Sequence, residues 1–173
     1  MKKEIRIRLK NRAIAMAKEP EQKRAASAVI GVIIFTLAAE TYGVESAFVR
    51  EVYPLRDFTA LPGVPLYIFG IVNVRGQILP VVDLKKFFNL PEKGLGDLNR
   101  VIILYDDQME FGILADVVLG TLEIELEDIL DVPPTVTGIG EEYLKGVTKE
   151  RLIVLNAERL LSDKSIVVNE DVS

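Results

Sequence analysis

The residues able to do chemistry are few and of narrow type. The 173-residue chain contains no histidine and no cysteine. That removes imidazole bases, thiol nucleophiles, disulfides, zinc sites of the usual kind and Ser-His or Cys-His triads. A cysteine-free chain also suits a reducing compartment. Carboxylates and guanidinium groups remain. In TLEIELEDI (121–129), Glu123, Glu125 and Glu127 alternate with Leu122, Ile124 and Leu126 and so point to the opposite side of an extended chain. Three carboxylates could bind a divalent metal or exchange protons. Hard cations need converging oxygens, however, and the outer face of a strand spreads them apart. The segment therefore reads as a half-buried strand with a solvated acidic face. Asp106-Asp107 reads as a turn rather than a ligand pair.

The second candidate is a single cation. In VNVRGQILPVVDL (72–84), Arg75 sits inside a largely apolar stretch. Asn73 suits the first position of a type I turn, Val74 and Arg75 the central positions, and Gly76 a closing residue of positive φ. Arg75 then stands on a hairpin tip and points outward. Pro80 cannot donate to a ladder, so it marks an edge or a bulge and leaves open backbone near the arginine. A rigidly held guanidinium is a strong interface group through its forked donors; a solvated surface arginine satisfies the same residues.

These groups need a frame, and the frame is written twice. IIFTLAAETYGVESAFV (33–49) aligns without a gap on IILYDDQMEFGILADVV (102–118): Ile33 on Ile102, Tyr42 on Phe111, Gly43 on Gly112, Val49 on Val118. GIVNVRGQILPVVDLKKFF (70–88) resembles GVTKERLIVLNAERLL (146–161), with Gly70 on Gly146 and, after three skipped residues, Asp83 on Asn156. Each copy reads as an apolar strand, a polar turn (39–43 and 106–112), two further strands, a hairpin and a short helix. Asp83 and Asn156 suit the N-caps of those helices. Short strands between turn signals suggest small β-barrels, and NLPEKGLGD (89–97) supplies a boundary between copies. The tip arginine belongs to the three-residue excess of one copy, which makes it a candidate for function rather than fold.

Charge is unevenly placed. Residues 1–24 carry a net +6, which leaves −11 on the remainder of a chain whose total is −5. An acidic body repels phosphates, so no nucleic-acid partner is expected. MKKEIRIRLKNRAIAMAKEP (1–20) reads as a basic helical arm with Leu9, Ala13, Met16 and Ala17 on one face. It could lie on an acidic membrane, dock on a partner or pack on its own acidic body. AASAVIGVIIFTLAA (25–39) imitates a membrane anchor. It is too short for one and rich in β-branched residues, so no direct membrane insertion is expected.

With its repeat in place, the sequence resembles the CheW family of chemotaxis coupling proteins. The NxRGxxxPxxDL pattern is present as Asn73, Arg75, Gly76, Pro80, Asp83 and Leu84, with Tyr42-Gly43, Val49, Glu51 and Val52 upstream and Tyr143-Leu144-x-Gly146 downstream. The resemblance implies a mainly β fold of two intertwined five-stranded SH3-like barrels with short helices. The chain is then expected to divide into a basic arm at 1–27, which departs from the family in being longer than in its simplest members, a CheW-like domain at 28–163 and a tail at 164–173. The resemblance implies no catalysis, cofactor or metal. The implied role is a cytoplasmic scaffold, joined to membrane receptor arrays through protein contacts. Such a scaffold links a histidine kinase regulatory domain to a chemoreceptor's cytoplasmic tip. Kinase-coupling positions fall on Arg75, Val49 and Glu51, with Gly70 and Gly76 shaping nearby backbone, and Asn73 is a further partner-binding candidate beside them. A groove between the barrels, with Val49, Val52 and Val118 as its candidates, takes the receptor. Two alternatives stand beside this: a CheW-like adaptor in another two-component pathway, and, less supported, a metal enzyme using the acidic strand.

Overall fold

The computed structural model describes residues 28–91, 98–131 and 140–166. The expected arm, most of the expected boundary at 89–97 and most of the expected tail lie outside these residues. Among the described residues eleven strands form two sheets. The first half contributes β1 (Val29–Leu37), β2 (Glu40–Glu45), β3 (Val49–Pro54), β4 (Phe58–Thr59), β5 (Ile68–Val74), β6 (Gln77–Val82) and helix α1 (Leu84–Phe87). The second contributes β7 (Arg100–Tyr105), β8 (Glu110–Ala115), β9 (Val117–Glu125), β10 (Leu144–Val147), β11 (Ile153–Leu155) and helix α2 (Ala157–Ser162).

The repeat seen in the sequence is a repeat of register. Ile33 pairs with Val44 and Phe35 with Tyr42; at the aligned positions Ile102 pairs with Ile113 and Leu104 with Phe111. Gly70 pairs with Val81 beyond a bulge, and Gly146 pairs with Val154 beyond an equivalent bulge. Asp83 caps α1 by accepting from Lys85 N, and Asn156 caps α2 by accepting from Arg159 N, both at 3.0 Å. Each cap residue's own N–H donates to a tyrosine carbonyl, Tyr67 in one half and Tyr143 in the other.

The halves exchange strands. One sheet runs β10-β11-β2-β1-β9, the other β3-β7-β8-β6-β5-β4. Hairpin β1–β2 is therefore flanked by strands of the second half, and hairpin β7–β8 by strands of the first. The parallel pairs β2·β11 and β6·β8 make the joins. The intertwined fold is as expected, except that one sheet gains the two-residue β4 as a sixth strand.

Exchange explains the anchor-like apolar run. Along β1, Ile33, Phe35 and Leu37 enter a core shared by both sheets, while Val32 and Ile34 enter a second cluster with Leu122, Ile124 and Val154. Along β7, Ile102 and Leu104 enter the shared core, and Val101 and Ile103 face Val72, Val74 and Leu79. A strand buried on both faces needs no polar phase. Among the described residues no helix is long and apolar enough to cross a membrane. Ile166, inside the expected tail, is also buried in the shared core.

Four local expectations are corrected. The first reversal is at Ala38-Ala39, not 39–43, and Thr41 to Gly43 lie within β2. The cause is Asp116, whose Oδ2 accepts the Ala38 N–H at 2.9 Å and holds that residue at φ 55°. Leu126 leaves the alternation of the acidic strand and is 39% exposed. Strand β9 ends at Glu125, and a short 3-10 turn begins as Leu126 N donates to Ala28 O. The third correction, to the Arg75 turn, belongs to the site. Asp106 does form a turn, its Oδ1 accepting from Gln108 N and Met109 N, and this turn too is shorter than the expected 106–112, since Glu110 to Gly112 lie within β8.

A buried ion pair pins one join. Lys85, with its side chain 3% exposed, reaches from α1 to Asp116 at 2.6 Å, and Asp116 also holds the β1–β2 turn. Removing one member strands the other charge, at a cost of roughly 3 kcal/mol for a pair buried this far. Lys85→Ala is expected to lower unfolding stability by about that much in a denaturant titration; a loss under about 1 kcal/mol would show that the pair does not hold the join.

Candidate functional site

Hairpin β5–β6 projects further than its counterpart. From Gly70 the pairing continues through Ile71, Val72 and Asn73 to Val74, opposite Gln77. In the second half it stops at Val147 opposite Ile153. The excess segment is the one that carries Arg75.

The turn is tighter than expected. Strand pairing reaches Val74–Gln77, so only Arg75 and Gly76 connect the strands, at φ 54° and 87°. Positive φ at both central positions is the mirror-image turn whose twist matches paired strands, and it favours Asn-Gly there. Asn73 lies one residue outside the turn and acts through its side chain, Oδ1 accepting Gly76 N–H at 2.8 Å. Arginine in the left-handed region costs about 1 kcal/mol. The tip therefore carries a residue that its own backbone disfavours.

The tip does not stand alone. The second sheet curls until β3 reaches the β5–β6 hairpin, where Arg75 Nη2 lies 3.3 Å from Glu51 Oε1. The Tyr53 hydroxyl reaches the Asn73 carbonyl at a long 3.5 Å. Arg75 is 79% exposed and Glu51 20%. A pair this open contributes at most about 1 kcal/mol, so it orients the guanidinium more than it stabilises the fold. Beside it runs a second polar row. Arg50 Nε lies 2.6 Å from Glu110 Oε2 and its guanidinium 4.3 Å from the Tyr105 ring centre; Gln77 Nε2 donates to Glu110 Oε1 at 3.0 Å.

The structure thus unites Arg75, Asn73, Gly76 and Glu51. Gly70 lies at the other end of β5, where a Cβ would strike the Thr59 carbonyl of β4. It supports the hairpin's base. Val49 and Val52 are half-buried on β3, opposite Leu104 and Ile102. Val118 is half-buried in the other sheet, opposite Phe35. Val49 and Val118 occupy equivalent places, each followed by a bulged residue, Arg50 or Leu119. All three valines pack against the shared core.

Sequence reasoning missed Ile78, which pairs with Asn73 beside the tip and is 56% exposed. The signal was the phase of the strand, because buried Leu79 and Val81 place Ile78 outward. Arg50, Gln77 and Glu110 were also missed; their meeting depends on which strands are neighbours. Pro80 immediately precedes the parallel pairing of Val81 and Val82 with β8. Among the described residues Gln77 to Leu79 have strand partners on the β5 side alone. No three carboxylates among the described residues come together as metal ligands.

Comparison with known proteins agrees with this architecture. The CheW-like domain family matches residues 31–165. The chain is 33% identical over 165 residues to the chemotaxis protein CheW of Treponema pallidum, covering 91% of this chain and 93% of that protein. It is 33% identical over 156 residues to protein FrzA of Myxococcus xanthus, covering 87% and 92%. The crystal structure of the scaffolding protein TtCheW from Thermoanaerobacter tengcongensis superposes with a TM-score of 0.70 at 30% identity, over 80% of this chain and 91% of that one.

The turn energetics can be tested. Asn73→Ala is expected to lower stability by about 1 kcal/mol through loss of the Gly76 hydrogen bond. Arg75→Asn is expected to hold or raise it, since asparagine tolerates this conformation. Chemical unfolding of both variants checks this, and a loss above about 1 kcal/mol in Arg75→Asn would make the arginine a structural residue.

Proposed function

The chain belongs to the CheW-like domain family, and we propose that it serves as a non-enzymatic coupling adaptor of chemotaxis, joining a histidine kinase to chemoreceptors through two separate faces. The observation that carries this reading is the projecting hairpin of one half. There a guanidinium sits in a disfavoured backbone conformation, contributes little to stability and faces solvent. Strain at an exposed position points to a role outside the fold.

In this reading the kinase regulatory domain docks on Arg75, with Glu51 and Asn73 orienting it, Gly76 closing the turn and Ile78 adding an apolar contact. Gly70 keeps the hairpin's base in place. The receptor's helical tip takes the apolar surface of Val49, Val52 and Val118 between the two barrels. The two partners therefore meet different sides of one interleaved core. The adaptor works in the cytoplasm, held at membrane receptor arrays by protein contacts alone. No step of bond making or breaking is assigned to it, and no cofactor.

The matches to FrzA and, at 27% identity, to PilI of Pseudomonas aeruginosa favour a second reading. Neither carries the name of a chemotaxis protein, and this chain would then be an adaptor in another two-component pathway. Recovering a histidine kinase with no chemoreceptor from the native cytosol would support that reading.

Arg75→Ala is expected to weaken binding of the kinase regulatory domain at least tenfold, about 1.4 kcal/mol, in isothermal titration. Receptor-tip binding and melting temperature should stay as in the unaltered protein. Equal loss of both partners, or collapse of the fold, would refute the assignment of the tip to the kinase. If the unaltered protein bound neither partner, the coupling reading itself would fall.

A further inference from the structure

Strand β9 is the end strand of its sheet among the described residues, with β1 on one side alone. Its counterpart β3 is also an end strand. That edge is met by the long hairpin, through Arg75 and Glu51 and through the Tyr53 hydroxyl on the Asn73 carbonyl. In the second half Gly120 stands in the place of Glu51, and the hairpin stops at Val147 opposite Ile153. Strand β3 ends at Pro54, whereas β9 continues to Glu125 and so presents the longer edge. A long edge of this kind invites pairing or cover by another segment. The surface beside it is partly apolar. Val29, opposite Glu125, is 44% exposed, and Leu126 and Leu130, just after β9, are 39% and 48% exposed.

Three observations point to one occupant. The first is where the chain enters. Ala28 O accepts from Leu126 N at 2.8 Å, so whatever precedes residue 28 is delivered beside Leu126 and Val29. A segment tethered that closely has an effective concentration on the order of millimolar. The second is charge. Residues 117–131 hold Glu123, Glu125, Glu127, Asp128 and Asp131 and no lysine or arginine, while residues 1–24 carry a net +6. The third is pattern. Leu9, Ala13, Met16 and Ala17 share one helical face among the basic residues of that arm. Such a stripe matches an apolar patch with acidic flanks. A second copy of the chain fits less well. Strand β9 against β9 would set glutamates opposite glutamates, which destabilises a strand pair.

We propose that the edge and outer face at this end of β9 are the docking site for the chain's own residues 1–24. The arm lays Leu9 and Met16 on Val29, Leu126 and Leu130, and its lysines and arginines along the acidic residues of 123–131. It covers in one half the edge that the arginine hairpin meets in the other. The inference is independent of the coupling reading, and neither partner enters its test.

The test uses the full chain, as an equal mixture of heavy-nitrogen-labelled and unlabelled protein at low micromolar concentration. Zero-length carbodiimide coupling, mapped by mass spectrometry, is expected to join Lys2, Lys3, Lys10 or Lys18 to Glu123, Glu125, Glu127 or Asp128 within one label. Trypsin supplies a second readout. Glu123→Gln combined with Glu127→Gln should be cut within residues 1–24 at least threefold faster than the unaltered protein, as expected for the loss of two exposed charge contacts. Leu130→Ser, which leaves every charge in place, should be cut faster as well. Couplings between the two labels would give the site to a second copy and overturn the proposal. Couplings that end on other carboxylates, no coupling at all, or unchanged cleavage in either variant would also overturn it. Should a variant not fold, the coupling map of the unaltered chain decides.

Discussion

Neither central hairpin can be completed by its own half of the chain. Strands β1 and β7 are buried on both faces, and the strands that flank their hairpins arrive from the other copy. Each buried aliphatic side chain along them contributes about 1.5–3 kcal/mol relative to exposure. None of that is gained until the exchange has occurred. The barrels therefore stand or fall together, and the shared core between them is the price of neither being whole alone. Pairing of this kind is non-local, and loop closure precedes its reward. The short parallel contacts β2·β11 and β6·β8 are where the two halves become one body.

On that near-symmetric frame the differences are local. Val49 and Val118 hold equivalent positions against Leu104 and Phe35, yet two residues later one copy has Glu51 and the other Gly120. One hairpin stops early and the other runs on to Arg75. One join is locked by Lys85 and Asp116, the other is left with Glu158 and Ala47. A duplicated frame satisfies its packing needs twice with the same residues. Departures from the repeat are then free of that need, and they fall on charged positions at the surface and the joins.

Much of this was legible in the sequence because the repeat is a statement about register. Aligning Ile33 with Ile102 without a gap amounts to saying that both hairpins keep one register, and they do, although the first closes one pair later, at Leu37–Glu40 against Tyr105–Glu110. The caps at Asp83 and Asn156 were legible for the same reason. The exchange of strands was not, since alternation reports which residues are buried and says nothing of which strand covers them. Its family resemblance, not its periodicity, supplied that. The Arg75 turn differs from its expected form by one pair because arginine ordinarily keeps φ negative, which leaves Gly76 alone to supply the positive φ. The lock at Lys85 was hidden because a lysine on a short helix is ordinarily exposed; its burial depends on Asp116, a partner brought in by the fold. Ile78 was visible in principle, as an apolar residue in the outward phase of its strand.

In the proposed docking, a strained, lightly paired arginine suits recognition better than a relaxed one. A free arginine side chain loses conformational freedom on docking, which costs about 0.5–1.5 kcal/mol. Here part of that ordering is done beforehand. The two-residue turn fixes the backbone, Asn73 closes it through Gly76, and Glu51 draws the guanidinium to one side. A single carboxylate oxygen at 3.3 Å, with the arginine 79% exposed, leaves most of the five-donor fork facing solvent. The acidic body around it sharpens the choice of partner. A positive tip on a surface of net −11 is a local exception, and a partner must bring its own acceptor to that point while tolerating repulsion elsewhere if it is acidic overall. Under the proposed docking, specificity then comes from geometry at the tip rather than from net charge.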